Sequence, residues 1–358
     1  MGFMKILTVL GTRPEIIRLS VIIKKLDKYC DHILVHTGQN FDEKLSDVFF
    51  KDMGLREPDY CLGVKAESFG EQVGQILTGI QGILGNDTPD RVLILGDTNS
   101  GLCSIVAKRM GIPVFHLEAG NRCYDDRVPE EVNRKIIDHC STIHMPYTHG
   151  SKENLLREGI PPNRIYVVGN PITEVLKEYF FEIGCRQVLS TLELKERKYF
   201  LVTAHRAENV DDEDRLVSIL LGLESLKYPV IVSTHPRTKQ KIEKLGLELA
   251  SNIKLCEPFG FFDFVKLERN ALCVITDSGT VQEECSLLNI PNVTIRDVTE
   301  RPETIECGSN IIVGVEGIEK GVGIALGEQN KWTAPVDYMA EDNSVKVIKI
   351  LMGYHANL

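Results

Sequence analysis

The sequence lacks several features that would place the protein in a membrane or in an oxidising compartment. No segment approaches the roughly 18 consecutive apolar residues of a membrane-spanning helix. The chain also does not open with the charged and apolar regions of a cleavable leader. None of its ten cysteines forms a Cys-x-x-Cys pair, and most lie in apolar runs, as Cys103, Cys256 and Cys273 do. We therefore expect a cytoplasmic protein whose cysteines are reduced and act as small buried hydrophobic groups.

Basic residues are in the minority, with 41 Lys and Arg against 51 Asp and Glu, for a net charge of −10. Such a chain is a poor general binder of nucleic acid, and it lacks the basic character of a membrane-docking surface. A local basic pocket for one diphosphate remains compatible with this charge. His139, His144 and His149 recur every five residues. This spacing would put them on different faces of a helix, so we expect no metal site there.

Two series of short, continuously apolar segments alternate with helical stretches. The first series occupies residues 4–10, 31–38, 91–97 and 112–120, and the second occupies 199–206, 229–236 and 271–279. Continuous apolar strands separated by helices indicate parallel sheets with right-handed crossovers. A chain of 358 residues also suits two domains better than one core. We predict an α/β protein with two Rossmann-like parallel-sheet domains.

The predicted domains cover residues 1–170 and 171–342. The join lies within 165–195, where a predicted strand, RIYVVGNP at 164–171, gives way to a charged helical stretch at 173–183. The last segment, 343–358, has the pattern of an amphipathic helix, which we expect to pack back on the first domain. In open parallel sheets ligands bind beyond the carboxyl ends of the strands, so the polar residues there are the candidates for chemistry.

The segment TDSGTVQEE at 276–284 reads as a strand end, a small-residue turn and a helix start. Backbone N–H groups of Ser278, Gly279 and Thr280 could bind an anion with help from the helix dipole. Asp277 or Ser278 could equally be a plain N-cap. Glu284 could accept hydrogen bonds from ribose hydroxyls or serve as a capping-box acid.

Three further segments place cationic side chains at strand or helix ends. GTRPEIIR at 11–18 lacks the glycines of G-x-G-x-x-G, yet its Pro14 suits a first helical turn and its Arg13 suits a diphosphate clamp. Arg18 is either functional or a solvated helix residue. HRAEN at 205–209 and TERPE at 299–303 contain His205 and Arg301, which are natural anion ligands.

Three acids lie at the ends of predicted strands or at a helix start. Asp97 ends LILGD, Glu118 follows VFHL, and Glu130 begins PEEVNRKIIDH. Burying a charge without a partner costs several kcal/mol, so strand-end acids are poor structural choices. Glu130 alone is ambiguous, because acids are common in a first helical turn. Together the three would suit proton transfer at carbon, with a base on one face and an acid on the other.

In combination these fragments resemble the non-hydrolysing UDP-N-acetylglucosamine 2-epimerase family across essentially the whole chain. The segments that carry the resemblance are GTRPEI, GDT, EAG-x-R, PEE-x-NR, HR-x-EN, TDSG-x-x-QEE and RDVTERPE. The resemblance implies catalytic carboxylates at Asp97, Glu118 and Glu130 and a catalytic or phosphate-contacting role for His205. It also implies contacts to UDP or substrate from Arg13, Arg18, Phe264, Ser278, Gly279, Thr280, Glu284 and Arg301, with Phe264 beside the uracil.

The family has the two-domain architecture of GT-B glycosyltransferases, with the domains facing a cleft. Its members interconvert UDP-GlcNAc and UDP-ManNAc by eliminating UDP to a 2-acetamidoglucal and adding it back. The resemblance therefore implies a UDP-amino sugar and UDP as ligands, no nicotinamide or metal cofactor, a homodimer, and a role in cell-surface polysaccharide precursor synthesis. A GT-B glycosyltransferase and a non-catalytic UDP-sugar-binding protein are the alternatives.

The sequence departs from the family pattern in three places. Arg18 stands where the family has Lys. The stretch at 118–130 is short and reads Asn-Arg-Cys for Leu-Arg-Thr, and HTGQNFDEKL at 36–45 replaces a Gln-His-Arg segment that helps bind an activating UDP-GlcNAc. These departures resemble branches acting on UDP-2-acetamido-2,6-dideoxy-L-talose, the precursor of UDP-N-acetyl-L-fucosamine, or on UDP-2,3-diacetamido-glucuronate. We expect such a modified sugar to be turned over better than UDP-GlcNAc, without an activator.

Overall fold

The computed structural model describes residues 4–38, 49–327 and 331–353. The chain divides into two compact units, one formed by residues 1–178 with 340–358 and the other by residues 179–339. Each unit is built on a parallel sheet of six strands, so the predicted pair of Rossmann-like domains is confirmed.

The first sheet has the strand order β3-β2-β1-β4-β5-β6, and all of its pairs are parallel. Its strands are β1 Lys5–Leu10, β2 Asp31–His36, β3 Tyr60–Cys61, β4 Arg91–Leu95, β5 Val114–Leu117 and β6 Ile143–Met145. The chain runs outward from β1 to β3 and returns to β4, so β1 and β4 flank the switch point. Ligands bind at such a point in open α/β sheets.

Helices cover both faces of this sheet, which explains why β1 and β4 are apolar on both sides. The α-helices are Arg13–Tyr29, Phe69–Asp87, Ser104–Arg109, Pro129–Cys140, His149–Arg157, Pro171–Glu178 and Asn343–Met352, with 3₁₀ turns at Asn99–Cys103 and Pro162–Arg164. The helix predicted from about Pro14 begins at Arg13, with the proline in its first turn, where the missing N–H costs nothing.

The second sheet repeats the plan with the order β12-β11-β10-β7-β8-β9. Its strands are β7 Phe200–Thr203, β8 Val230–Ser233, β9 Ile253–Cys256, β10 Cys273–Thr276, β11 Asn292–Thr294 and β12 Asn310–Ile312. The switch point lies between β7 and β10, which are followed by the HRAEN and TDSG segments.

The helices of the second unit again lie on both faces of its sheet, and buried apolar clusters fill the space on each face. They are Phe180–Gly184, Val188–Thr191, Ala207–Val210, Glu213–Glu224, Pro236–Lys244, Phe261–Asn270, Gly279–Leu288, Pro302–Glu306 and Ile318–Ala325, with a 3₁₀ turn at Val336–Met339.

The boundary between the units lies after Glu178, eight residues later than the sequence analysis placed it. The helix Pro171–Glu178 stays with the first unit because Glu174 accepts hydrogen bonds from the Ser344 backbone N–H at 2.8 Å and from Lys25 Nζ at 3.2 Å. The second crossing lies after residue 339 rather than 342. The C-terminal helix packs on the first unit through these contacts, and the last predicted helical residues, 354–358, lie outside the described part.

The strand predicted at 164–171 is wrong. The segment is extended, but it makes a single bridge, between Ile165 and His144. Its Tyr166 and Val168 N–H groups donate to the His144 and Pro146 carbonyls at 2.9 and 3.0 Å. A ladder cannot continue there because Pro146 has no N–H to return.

The cysteines are less buried than predicted. All ten are free thiols, but only Cys103, Cys273 and Cys285 are fully buried, while Cys256 is half-buried and Cys61 and Cys185 are exposed. Within the described ranges no helix is long and apolar enough to cross a bilayer.

Candidate functional site

Asp97 follows β4 in a tight turn and is held by the helix Pro129–Cys140. Arg134 of that helix contacts the Asp97 carboxylate through Nε at 2.8 Å and Nη2 at 2.7 Å. Asn133 donates to the Asp97 carbonyl at 2.9 Å. The turn needs Gly96, whose φ of +70° a residue with a side chain rarely adopts. The acid is therefore fixed in orientation but remains partly exposed.

Glu118 follows β5, the neighbouring strand, in a left-handed conformation with φ 71°. Such a conformation is unusual for a non-glycine residue and is concentrated at functional sites. Its buried carboxylate pairs with Arg18 and accepts a hydrogen bond from Asn121 Nδ2 at 3.2 Å. A Cβ on Gly96 would lie 3.8 Å from Glu118 Oε2, so Glu118 and the residue before Asp97 are neighbours.

Arg18 is not a solvated helix residue, since it is only 3% exposed. Its guanidinium carbon lies 5.8 Å from the centre of the Tyr147 ring and its Nη1 bonds Glu118. A buried carboxylate without this cation would carry a large desolvation cost. The contact assigns Arg18 to the Glu118 site rather than to the surface.

Glu130 occupies the first turn of the helix Pro129–Cys140 and is half-buried. The next residue, Glu131, is fully buried and accepts hydrogen bonds from Cys123 and Tyr124 N–H, both at 3.1 Å, and from Arg134 Nη1 at 2.8 Å. Burial alone would raise the pKa of Glu131, but these bonds lower it below the usual value. Arg134 thus joins Glu131 to Asp97, and Glu131 ties the 118–130 loop to the helix that carries Glu130.

A buried ionic network centred on Asp138 stabilises the turn that contains Glu118 and Gly120. Asp138 contacts His116 Nδ1 at 2.8 Å and Arg122 Nη2 at 2.7 Å, and it accepts a hydrogen bond from the Gly120 N–H at 3.2 Å. Although burial raises the pKa of Asp138, its interactions with His116 and Arg122 outweigh that effect and hold the pKa at about 2. Gly120 has φ +81°, and a Cβ there would lie 2.2 Å from the Ser151 carbonyl oxygen. The turn is therefore possible only with glycine.

Arg13 and Glu15 lie at the start of the first long helix. The Arg13 guanidinium carbon is 5.7 Å from the Phe49 ring centre. Glu15 is buried and accepts hydrogen bonds from the Gly11 N–H at 3.0 Å, Thr12 Oγ1 at 2.8 Å and Thr98 Oγ1 at 3.1 Å. Burial raises the pKa of Glu15 to about 7, although these hydrogen bonds lower it. Glu15 thus links the turn after β1 to the turn after β4.

In the second unit Asp277 organises the loop after β7 and is not an N-cap. Its fully buried carboxylate accepts hydrogen bonds from the His205 and Arg206 N–H groups, each at 2.9 Å, and from Asn209 Nδ2 at 3.2 Å. His205 Nδ1 also lies 3.2 Å from Asp277, while the His205 side chain is 46% exposed. The loop therefore presents an accessible imidazole on a fixed backbone.

Ser278 occupies the N-cap position of the helix Gly279–Leu288, but its side chain makes no capping bond. Ser278, Gly279 and Thr280 are half-buried at this helix start. A Cβ on Gly279 would lie 3.7 Å from the guanidinium carbon of Arg301, whose Nε bonds the buried Glu283. A helix N-terminus beside a fixed guanidinium is a favourable site for an anion.

Glu284 lies in the second turn of that helix and is almost fully buried. With Ser278 as N-cap, a capping-box acid would stand at position 281, so the capping alternative is wrong. Phe264 lies on the adjacent helix Phe261–Asn270, half-buried against a cluster that includes Val281 and Cys285. The structure therefore places Glu284 and Phe264 on neighbouring helices that pack together.

A surface pocket of about 460 Å³ lies elsewhere on the first unit. It is lined by residues of the helix His149–Arg157, the 165–167 segment and the C-terminal helix. It contains none of the predicted site residues.

Sequence reasoning missed the residues that hold the site in place. Arg134 and Glu131 lie within PEE-x-NR, but their motif predicted a role only for Glu130, and Asp277 lies within TDSG, where its position suggested only an N-cap. Glu131 and Arg134 are three residues apart in a predicted helix. This spacing places both side chains on one helix face and could have identified them as an ion pair. Asp138 and Glu15 carry no such signal, because their partners come from distant parts of the chain.

The comparisons with known proteins agree with this geometry. The sequence profile of the UDP-N-acetylglucosamine 2-epimerase family matches residues 24–352. A UDP-N-acetylglucosamine 2-epimerase of Methanocaldococcus jannaschii is 42% identical over 93% of this chain and 95% of its own length. The crystal structure of an enzyme of that name and organism, in complex with UDP-GlcNAc and UDP, superposes with a TM-score of 0.91 at 40% identity, over 97% of this chain and 99% of the other. A UDP-2,3-diacetamido-2,3-dideoxy-D-glucuronate 2-epimerase of Pseudomonas aeruginosa is 37% identical over 87% of this chain and 88% of its own.

Proposed function

The chain belongs to the UDP-N-acetylglucosamine 2-epimerase family and is an isomerase acting on a UDP-sugar, and from this premise we propose that it interconverts UDP-GlcNAc and UDP-ManNAc. The reaction eliminates UDP to form a 2-acetamidoglucal and then adds UDP back to it. The observation that carries the proposal is the pair of acids at adjacent strand ends, Asp97 and Glu118, each held by a buried arginine.

The chemistry requires these acids because the C2 hydrogen is not α to a carbonyl. It becomes acidic only as the C1–O bond to UDP lengthens, so proton removal and diphosphate departure must be coupled. A carboxylate removes the proton from C2, electrons form the C1–C2 double bond, and the bond to UDP breaks. A second acid group returns a proton to the opposite face when UDP adds back. Asp97, Glu118 and Glu130 are the groups that we assign to these transfers.

The departing diphosphate carries negative charge that must be stabilised. Arg301 and the helix start at Ser278–Thr280 supply a guanidinium and N–H groups in the second unit. We assign the exposed His205 to the diphosphate as well, and a contact from Arg13 stays a prediction. Preorganised donors of this kind often contribute several kcal/mol to transition-state stabilisation. Glu284 and Phe264 are assigned to the ribose and the uracil.

UDP-GlcNAc is the substrate that the relatives favour, since a 40% identical structure holds UDP-GlcNAc and UDP. The Asn-Arg-Cys departure, which suggested a modified sugar, has an explanation inside the protein. Asn121 bonds Glu118, Arg122 bonds Asp138, and Cys123 contacts Glu131. Residues 39–45 of the other departure lie outside the described residues. The preference for a modified sugar that the sequence analysis expected is untested, and it is the alternative that the rate comparison decides.

The experiment that tests the proposal is a rate comparison. Purified protein is incubated with UDP-GlcNAc, the L-talose derivative or the diacetamido-glucuronate, without an acceptor, and C2 inversion is followed by NMR. Hyperbolic conversion of UDP-GlcNAc to UDP-ManNAc, with the highest kcat/KM of the three, supports the proposal. A higher kcat/KM for a modified sugar would reassign the substrate, and no inversion of any of them would overturn epimerase activity. The homodimer also stays a prediction, which light scattering tests.

A further inference from the structure

A second buried acid, Glu268, is adjacent to Glu284. Glu268, on the helix Phe261–Asn270, is 0% exposed and is surrounded by an apolar cluster that includes Tyr199, Leu267 and Cys285. No cation of the described residues bonds its carboxyl group. A buried carboxylate without a cation is so costly that such a group stays neutral instead.

Two features of the Glu268 carboxyl group bear on its protonation: a donor at one oxygen and its proximity to Glu284. Cys285 Sγ donates to Oε1 at 3.2 Å, whereas no donor reaches Oε2. Burial raises the pKa of Glu268 well above its usual value, and the adjacent Glu284 raises it further through its charge and through a side-chain hydrogen bond. Two ionised carboxylates cannot donate to each other, so a hydrogen bond between them needs a proton on one. A proton on Glu268, which is 0% exposed against 3% for Glu284, leaves the charge on the less deeply buried acid.

We propose that Glu268 is a positioning residue that, in its protonated form, donates a hydrogen bond to the Glu284 carboxylate and holds it in the orientation that receives the ribose hydroxyls. This inference rests on the proposed function, because it takes Glu284 as a ribose ligand. Glu268 also lies one helical turn after Phe264. The acid pair therefore ties the helix assigned to the uracil to the helix assigned to the ribose and diphosphate.

The same pair predicts a pH dependence of nucleotide binding. The titratable groups that face Glu268 are Glu284 and Cys285 on the next helix and Tyr199 at the start of β7. Burial raises the pKa of both the Cys285 thiol and the Tyr199 hydroxyl, so neither adds charge near neutral pH. When alkaline pH removes the Glu268 proton, Glu284 loses its donor and gains a repelling charge. UDP affinity should then fall.

The test compares Glu268→Gln, which keeps a neutral donor, with Glu268→Met, which has none, and uses exposed Glu248→Gln as the control. Calorimetry measures the Kd for UDP and for 2′-deoxy-UDP, which lacks one ribose hydroxyl. We expect E268M to weaken UDP binding roughly tenfold and to bind 2′-deoxy-UDP almost as before, because a hydrogen bond to a charged group has this worth. E268Q and the control should stay within about threefold of wild type.

The pH profile separates a positioning role from a merely structural one. As the pH rises and the Glu268 carboxylic acid band disappears from the infrared difference spectra, the ratio of wild-type to E268Q Kd for UDP should rise, since only the wild type loses a proton at this position. The ratio also cancels any titration of the ligand itself. A ratio that stays constant across the loss of that band overturns the proposal even if E268M fails to fold. If E268M discriminates between UDP and 2′-deoxy-UDP as strongly as the wild type does, the proposal is overturned as well.

Failure of the proposed function gives a different pattern. If the wild type does not bind UDP, both the function and this inference fall. If Glu284→Gln loses discrimination between UDP and 2′-deoxy-UDP while E268M retains it, only the role of Glu268 falls. Infrared difference spectra of wild type against E268Q test the proton without any ligand. A neutral carboxylic acid band at pH 7 supports the assignment, and its absence contradicts it.

Discussion

At the scale of single residues, the acids of the first unit differ in how they are held. Asp97 and Glu118 are each paired with an arginine, whereas Glu130 lies at a helix N-terminus, where the dipole favours its charge. Removing a paired acid changes both the chemistry and the local charge balance. Isosteric amides are therefore the informative substitutions, since they keep shape and remove only the carboxylate.

We predict that Asp97→Asn, Glu118→Gln and Glu130→Gln each lower turnover by roughly 10²-fold or more, the range for positioned acid–base groups. UDP affinity should change much less, because these acids are assigned to the sugar. Steady-state rates with calorimetry check both. Glu153→Gln, on an exposed face of the first unit, is the matched control. Near-normal rates in all three variants would remove the acids from the mechanism.

The raised pKa of Glu15 should make the free energy of unfolding depend on pH. Because its folded-state pKa is raised from 4.5 to about 7, its contribution is fully present below about pH 4.5 and is lost as the pH rises through 7. The loss should amount to roughly 3 kcal/mol of unfolding free energy by pH 9. Urea unfolding of the wild type should show this decline, and Glu15→Gln should reduce it. The exposed Glu67→Gln control should decline like the wild type. Equal slopes in wild type and E15Q would contradict the assignment.

Replacing Arg301 should weaken UDP binding and also lower the stability of the protein, and a second substitution can separate the two effects. Arg301→Ala should weaken UDP binding by about 1.5–3 kcal/mol, the range for bonds to charged groups. It also leaves Glu283 buried without its cation, so R301A/E283Q should recover stability but not affinity. Calorimetry and thermal unfolding check the two effects, with Arg269→Ala as an exposed-arginine control. Unchanged UDP affinity in R301A would remove Arg301 from the site. The same calorimetric measurement applies to Arg13→Ala, for which the same loss of UDP affinity is expected.

At the scale of elements, the C-terminal helix completes the core of the first unit. Val347 and Leu351 are fully buried, whereas Val345 on the same helix is 37% exposed. Asn343 at the helix start donates to the Val168 carbonyl at 2.8 Å. The helix thus closes the first unit although it follows the second unit in the chain.

Val347→Ala should therefore cost roughly 1.5–3 kcal/mol of unfolding free energy, from lost burial and the cavity left behind. Val345→Ala makes the same change where the side chain is partly exposed and should cost less than about 0.5 kcal/mol. Both gain the same helix propensity, so their difference reports packing. Denaturant unfolding of the two variants measures it. Equal effects would show that this helix is not part of the core.

The major strands and the helix after β1 could be predicted from apolar runs and from turn residues, but the shortest strands could not. β3, β6, β11 and β12 have only two or three residues, too few for a periodic pattern. The segment at 164–171 has the composition of a strand, but its pairing with residues 144–146 stops because Pro146 has no N–H to donate. The same limit applies to the site. Motifs revealed Asp97 and Arg301, whereas Glu15, Asp138 and Glu268 depend on contacts between distant segments.

At the scale of the whole molecule, the two units use one plan for two kinds of chemistry. In each, the site residues follow strands at or next to a switch point, and a buried acid holds one of the loops, Asp138 the turn after β5 in the first unit and Asp277 the loop after β7 in the second. The first unit presents acids paired with arginines. The second presents N–H groups, an imidazole and a guanidinium. This division matches a reaction that moves a proton at carbon while a diphosphate leaves.

The central claim, that the acids of the first unit exchange the C2 proton with solvent during epimerisation, has one direct test. UDP-GlcNAc is incubated with the protein in deuterated water, and the C2 signals of both epimers are followed by NMR. The account predicts that deuterium enters C2 as UDP-ManNAc forms, without an acceptor, and that Glu118→Gln slows both processes together. Epimerisation that retains the original C2 hydrogen would contradict the account.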